Sequence, residues 1–290
     1  MKIHVAYTID VQGQGAFQFH DQLLANLHSL RRNKRAEDVI HAHIAYANIT
    51  ADIMAEVNRL SREDFVISFV KIQQNDLNFM QSCTKQNPSS QSRAWCGIVY
   101  ARLFLCNMLP TIERCIYLDT DMLIRGSLHE LWAIDLQGKK LGLAMGIVPE
   151  YGYNSGVIVF DFVAMRKDTG LYRRLCDFMQ KHARNFLLPD QTVINRFFAN
   201  DICPIPFAYN YPPCPGSQGF DTANLHKAVI WHFYNQTVKP YRLDDQGRAL
   251  VVWNAELDLM QEELRANALH GGNESTANES TAADKAVEDK

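Results

Sequence analysis

Short apolar runs alternate along this chain with segments whose apolar residues recur at helical spacing. Residues 2–9 (KIHVAYTI), 38–46 (DVIHAHIAY), 64–72 (DFVISFVKI) and 114–119 (RCIYLD) have the length and β-branched content of strands. Between them, 19–32 (FHDQLLANLHSLRR) and 50–60 (TADIMAEVNRL) read as helices, the second with Thr50 as N-cap. A longer helix is expected over 90–109, stopped by Pro110. Further on, 139–148, 151–166 and 228–241 read as strands. Residues 171–184 and 188–198 read as helices, with Pro189 near the start of the second. Strands separated by helices of this length predict an α/β fold with a mostly parallel sheet flanked by helices, and a ligand edge at the carboxyl ends of the strands.

Two polar stretches, 73–91 and 209–227, are expected to be long loops. Tyr209, Tyr211 and Phe220 in the second are candidates to stack on a sugar, or equally to pack the loop. Residues 254–270 predict an amphipathic helix, and 271–290 a polar, acidic, disordered tail. The folded domain is therefore set at 1–253.

Composition narrows the class. The chain has 290 residues, 47% hydrophobic, enough for a sizeable core. A formal net charge of -3 gives no basic excess, so no nucleic-acid partner is expected. The acidic tail offers no attraction to anionic lipid. Seven cysteines, odd in number and without a C-x-x-C, read as reduced thiols of a cytoplasmic protein. MKIHVAYTID reads as a strand rather than a secretory leader. The N-x-[ST] triplets at Asn48, Asn235, Asn273 and Asn278 then read as chance. No stretch reaches the ~18 apolar residues of a membrane span.

The candidate chemistry sits at Asp119-Thr120-Asp121. Asp119 ends an apolar strand, and residues i and i+2 of an extended segment face the same side. Two carboxylates converging there repel, and a hard divalent cation would compensate. The motif alone leaves a helix N-cap or a pair of solvated acids open.

Five stretches in order extend the picture: YARL (100–103), YLDTDMLIRGSLHELW (117–132), YNSGVIVFD (153–161), DQTVINRFF (190–198) and HFYNQTVKPY (232–241). Together they resemble glycosyltransferase family 8, which includes bacterial lipopolysaccharide galactosyl- and glucosyltransferases and glycogenin-like enzymes. The resemblance covers roughly residues 2–241. It implies a GT-A (Rossmann-like) fold, a UDP-sugar donor, Mn2+ (or Mg2+), and transfer with retention of anomeric configuration. It implies that Asp119, Asp121 and His232 bind the metal and that Asp119, Thr120 and Asp121 lie against the donor. Arg102 would reach the donor sugar or diphosphate. Asn154 and Ser155 would lie by the anomeric carbon, with Gly156 leaving room for the sugar ring. Asp190 would accept from sugar hydroxyls and Gln191 would sit beneath the anomeric carbon, the two forming the catalytic pair. An amide is a poor nucleophile, so front-face attack is the expected route. Ala6, Thr8 and Asp10 match the uridine-binding positions, with Thr8 where the family has an aspartate.

The sequence also departs from the family pattern. Lys239, matched to a diphosphate-binding lysine, follows His232 by seven residues rather than six, and Asn235 stands where a glycine is usual. The link between 148 and 153 is short, which predicts an open site or a lid from elsewhere. The implied function is transfer of a hexose, galactose or glucose, to a hydroxyl of a glycan or glycolipid such as lipopolysaccharide. Two alternatives stay in view: a donor-binding protein without transferase activity, and a haloacid-dehalogenase-like phosphohydrolase, which also carries D-x-D after a strand.

Overall fold

The computed structural model describes residues 1–11, 16–87, 97–213, 221–234 and 254–266. The chain divides into two compact units, Met1–Arg242 and Leu243–Lys290. In the second unit, residues 254–266 form a helix, within the span expected for one; the expected disordered tail lies outside the described residues.

The first unit is built on a seven-stranded sheet in the order β3-β2-β1-β4-β7-β6-β8. Its strands are β1 (Lys2–Ile9), β2 (Val39–Tyr46), β3 (Phe65–Lys71), β4 (Arg114–Leu118), β6 (Leu141–Met145), β7 (Tyr153–Asp161) and β8 (Ile202–Pro204). β1 pairs in parallel with β2 and β4, and β2 with β3. β7 runs antiparallel to both β4 and β6, and β8 returns parallel to β6. The sheet is thus mostly parallel, as expected, with one reversed strand. The reversal matters for the site. It brings the first residues of β7 to the same edge as the carboxyl ends of β1 and β4.

A second, two-stranded sheet pairs β5 (Met122–Ile124) with β9 (Ile230–His232). The expected strand over 228–241 is therefore only three residues long within the described part and lies outside the main sheet.

Helix α1 (Ala16–Asn33) and α2 (Ala51–Asn58) lie as expected, and Ile53 N–H donates to Thr50 Oγ1 at 3.3 Å. Three expectations are corrected. The polar stretch after β3 is helix α3 (Gln74–Gln86), because Leu77, Met80 and Cys83 recur every three residues and are buried, with Asp76 in the first turn and Lys85 in the last. Residues Gly97–Phe104 wind as a 3-10 helix rather than an α-helix, followed by one α-turn, Leu105–Met108. This segment is buried on most sides, and a Cβ on Gly97 would come within 2.9 Å of the backbone of Met80, so it lies hard against α3. The stretch 151–166 is strand only to Asp161. There the Asp161 carboxylate accepts from Ala164 N–H at 2.7 Å and starts a helix, Phe162–Lys167. Leu171–His182 and Pro189–Phe197 are helical, with Pro189 in the first turn.

Candidate active site

Asp119 follows the last residue of β4, and its N–H donates to Gly156 O at 2.9 Å. The D-x-D segment then enters β5, where Met122 pairs with His232 and Phe233 N–H donates to Asp121 O at 2.9 Å. The small sheet therefore carries His232 to the two carboxylates. Nε2 of His232 lies 3.2 Å from Asp121 Oδ1 and 3.7 Å from Asp119 Oδ2. One ligand atom from each of the three residues falls within 4.8 Å of the others. Adjacent ligands of an octahedral ion with bonds of about 2.1 Å stand about 3 Å apart, so the donor set fits a divalent cation. Asp119 and Asp121 thus face one point, as residues i and i+2 of an extended segment do.

Helix α1 pins this segment with a buried polar stripe. Asn26 Nδ2 donates to Asp119 O (3.0 Å) and Thr120 Oγ1 donates to Gln22 Oε1 (3.2 Å). Ser29 Oγ accepts from Ile124 N–H (3.1 Å), and Asn33 Nδ2 donates to Ile124 O (3.0 Å). Tyr7 OH holds Asn26 in turn at 2.9 Å. Gln22, Asn26 and Ser29 are all buried. The sequence signal was available: polar residues at 22, 26, 29 and 33 fall on one helical face.

Arg102 is the electrostatic hub. It is buried, and its Nη2 pairs with Asp119 Oδ1 at 2.9 Å while Nη1 lies 3.2 Å from Asp190 Oδ2. Nη1 also donates to Ser155 O (2.9 Å) and Nε to Val99 O (3.1 Å), with the guanidinium 4.5 Å over the Tyr117 ring. Burial works against its charge, but Asp119 and Asp190 outweigh it and raise the pKa above the ordinary arginine value. Tyr117 OH donates to Asp119 Oδ1 at 2.7 Å and lies 3.2 Å from Thr8 Oγ1. Burial, then Asp119, pushes that phenol well above its usual range.

Asp190 sits in the first turn of the Pro189–Phe197 helix and is 4% exposed. Burial raises its pKa, with Arg102 and Ser155 pulling it back. Its Oδ2 faces Arg102 as an ion pair but is out of line for a hydrogen bond, so that oxygen makes none. Gln191 is buried beside it. Its Oε1 accepts from Asn154 Nδ2 and its Nε2 donates to Tyr151 O, both at 3.2 Å. Asn195 clamps the short link, accepting from Tyr153 N–H and donating to Tyr153 O, each at 2.8 Å.

The structure gathers Arg102, Asp119, Thr120, Asp121, Asn154, Ser155, Asp190, Gln191 and His232 at one sheet edge. Thr8 joins them through Tyr117. Ala6 is fully buried in the core, and Asp10 accepts from Asn48 Nδ2 at 3.1 Å. Asn235, Lys239 and Phe220 lie outside the described residues. Gly156 makes room for His232 rather than for a ligand: a Cβ there would stand 2.1 Å from His232 Cε1. Tyr209 and Tyr211 are buried, and Tyr211 OH both donates to Asp221 O and accepts from Asp221 N–H, so they pack the loop rather than stand free to stack. Asn210 between them, 1% exposed and bonded to both His232 and Asn154, is the residue the sequence reading missed.

A reversed strand in a Rossmann-like sheet, with D-x-D at its ligand edge, defines a GT-A-like fold. The signature of Glycosyl transferase family 8 matches residues 14–244, and the chain belongs to that family. Among curated relatives, glycosyltransferase GlyF of Streptococcus pneumoniae serotype 4 is 30% identical over 39% of this chain and 29% of its own length. GlyE of the same organism is 26% identical over 54% of this chain and 40% of its own. The matches thus span less than half of either relative. Among solved structures, the galactosyltransferase LgtC, in complex with donor and acceptor sugar analogs, superposes with a TM-score of 0.69 at 18% identity, over 90% of this chain and 96% of that one. GlyE from Streptococcus pneumoniae TIGR4 gives 0.67 at 19% identity, over 92% and 64%. The phosphohydrolase alternative is set aside by the family match, and by D-x-D following the fourth strand of the chain rather than the first.

Proposed function

We propose that this chain is a retaining, metal-dependent hexosyltransferase that moves galactose or glucose from a UDP-sugar to a hydroxyl of a glycan or glycolipid, such as lipopolysaccharide. The observation that carries the reading is the convergence of Asp119, Asp121 and His232 beside the buried Asp190–Gln191 pair. LgtC, a galactosyltransferase, supports the class of donor sugar. Mn2+, with Mg2+ as an alternative, suits two carboxylates and an imidazole. Among the described residues no helix is long and apolar enough to cross a membrane. The five described cysteines are free, which supports a cytoplasmic setting.

The roles follow from the geometry. A bound cation supplies neutralisation of charge on the departing diphosphate. Asp119, Asp121 and His232 would hold it. Arg102 has most of its donors committed to protein, so it acts chiefly by holding Asp119 and Asp190 in place. Asp190, beside Gln191, is assigned to accept from a sugar hydroxyl. Gln191 has both ends of its amide engaged, and an amide is a weak nucleophile. The acceptor hydroxyl therefore attacks from the leaving-group face and passes its proton to the departing phosphate, with Gln191 steadying the oxocarbenium-like sugar. Asn154 and Ser155 line the donor, and Thr8 and Asp10 are proposed around the uridine, with Ala6 buried beneath them and Asn235 and Lys239 at the diphosphate.

The test is UDP release from a panel of UDP-sugars with Mn2+, with wild type set against Asp121→Ala. Release from one sugar, lost in the variant and with EDTA, supports the reading and names the donor. A protein that binds UDP-sugar but never releases UDP, with any acceptor tried, favours the binding-only alternative.

A further inference from the structure

An unbroken run of side-chain amides joins Gln191 to His232, and backbone groups fix its orientation at Gln191 and at Asn154. Tyr151 C=O can only accept, so the Gln191 atom 3.2 Å away is the Nε2 donor, which turns Oε1 toward Asn154 Nδ2. Gly156 N–H can only donate, so the Asn154 atom 2.9 Å from it is Oδ1. That same oxygen lies 2.9 Å from Asn210, whose facing atom must then be Nδ2. Asn210 Oδ1 is left facing His232 Nδ1 at 2.7 Å, and an oxygen there requires Nδ1 to carry the proton. The opposite ring nitrogen, Nε2, is the one beside Asp119 and Asp121.

We infer that Asn210 is a positioning residue that locks the neutral His232 ring in its Nδ1–H form, so that the Nε2 lone pair faces the two carboxylates as a metal ligand. This rests on the metal-dependent reading above. Asn210 touches neither substrate nor metal in this scheme. It acts through His232, and Asn154 keeps its amide from flipping. Both Asn210 and His232 are almost fully buried, so no water competes for the bond. The arrangement is an amide counterpart of the carboxylate or carbonyl that commonly orients a metal-bound histidine.

The experiment reads tautomer and metal affinity separately, on the whole 290-residue chain. The tautomer is read by NMR of 15N-histidine-labelled, metal-free protein at mildly alkaline pH, with the His232 signal among ten histidines assigned from His232→Gln. Mn2+ affinity is read by electron paramagnetic resonance. In wild type, His232 is expected as Nδ1–H. Asn210→Leu removes the acceptor, should give a mixture of tautomers, and should lower Mn2+ affinity about 10- to 100-fold. Asn210→Asp keeps an acceptor and should retain the Nδ1–H form and most of the affinity. A neutral wild-type ring with Nε2–H and an unprotonated Nδ1 overturns the inference, even if Asn210→Leu fails to fold. So does an Asn210→Leu protein with unchanged tautomer and affinity. Wild type that binds no Mn2+ at all would sink the metal-dependent reading instead, while the metal-free tautomer arm still decides the role of Asn210.

Discussion

The imidazole of His232 fills the space that a side chain on Gly156 would need. A Cβ there would stand 2.1 Å from Cε1 and 2.7 Å from Nδ1 of the ring. Gly156 N–H also donates to Asn154, and its carbonyl accepts from Asp119 N–H. Gly156→Ala should therefore push His232 off the carboxylates while the sheet survives. The expected result is Mn2+ affinity reduced at least about tenfold, a loss of about 1.4 kcal/mol, with a stability cost of about 1–3 kcal/mol from overpacking. Calorimetric Mn2+ titration and urea unfolding separate the two effects.

Arg102 compensates two carboxylates at once, and Asp190 has little solvent to fall back on. Arg102→Leu should cost about 3–5 kcal/mol, the usual penalty for stranding a buried charge. Adding Asp190→Asn should recover part of that loss, so the double variant should be more stable than the two single losses predict. Urea unfolding of the four proteins of the cycle checks it. Strict additivity would show that the pair is not coupled.

Asn26 links Tyr7 on β1 to the backbone of Asp119, and it is fully buried. Asn26→Leu leaves Tyr7 OH and Asp119 O without their partner. A destabilisation of about 1–3 kcal/mol is expected, together with weaker Mn2+ binding because the D-x-D loop loses its tether. A variant that loses stability but binds Mn2+ as wild type does would confine Asn26 to the fold.

A histidine cluster on β1 and β2 predicts acid sensitivity away from the site. His4 Nδ1 lies 2.9 Å from His43 Nε2, and His43 Nδ1 2.8 Å from Ser68 Oγ. Burial first, then neighbouring histidines and Lys2, lower the pKa of each of His4 and His43 to about 4. Their ordinary value is 6.5, so between 6.5 and about 4 the unfolded chain takes up protons that the folded chain does not. Stability is then fully present above 6.5 and falls as pH drops toward about 4. The His4→Gln/His43→Gln double variant should show a shallower decline of Tm across that window.

Much of this was legible from residue pattern. β1 to β4 and the two flanking helices α1 and α2 carry clean periodicity, and the D-x-D at a strand end put two carboxylates on one side. Helix α3 escaped because its apolar stripe is only Leu77, Met80 and Cys83 within a polar stretch. The three-residue strands β5, β8 and β9 are too short for any period to show. The reversal of β7 is a matter of connection, which residue pattern does not encode. Asn210 escaped because one asparagine between tyrosines reads as a turn, whereas its meaning lies in two partners, Asn154 and His232, brought from other parts of the chain.

The β5–β9 ladder has a consequence for synthesis. Asp119 and Asp121 leave the ribosome long before His232, and pairing of Met122 with His232 delivers the third member of the proposed metal site. A nascent chain can thus complete most of its sheet while the proposed metal site is still incomplete. On the metal-dependent reading, metal capture becomes a late timestamp: a chain that holds the ion has already closed the loop between Met122 and His232.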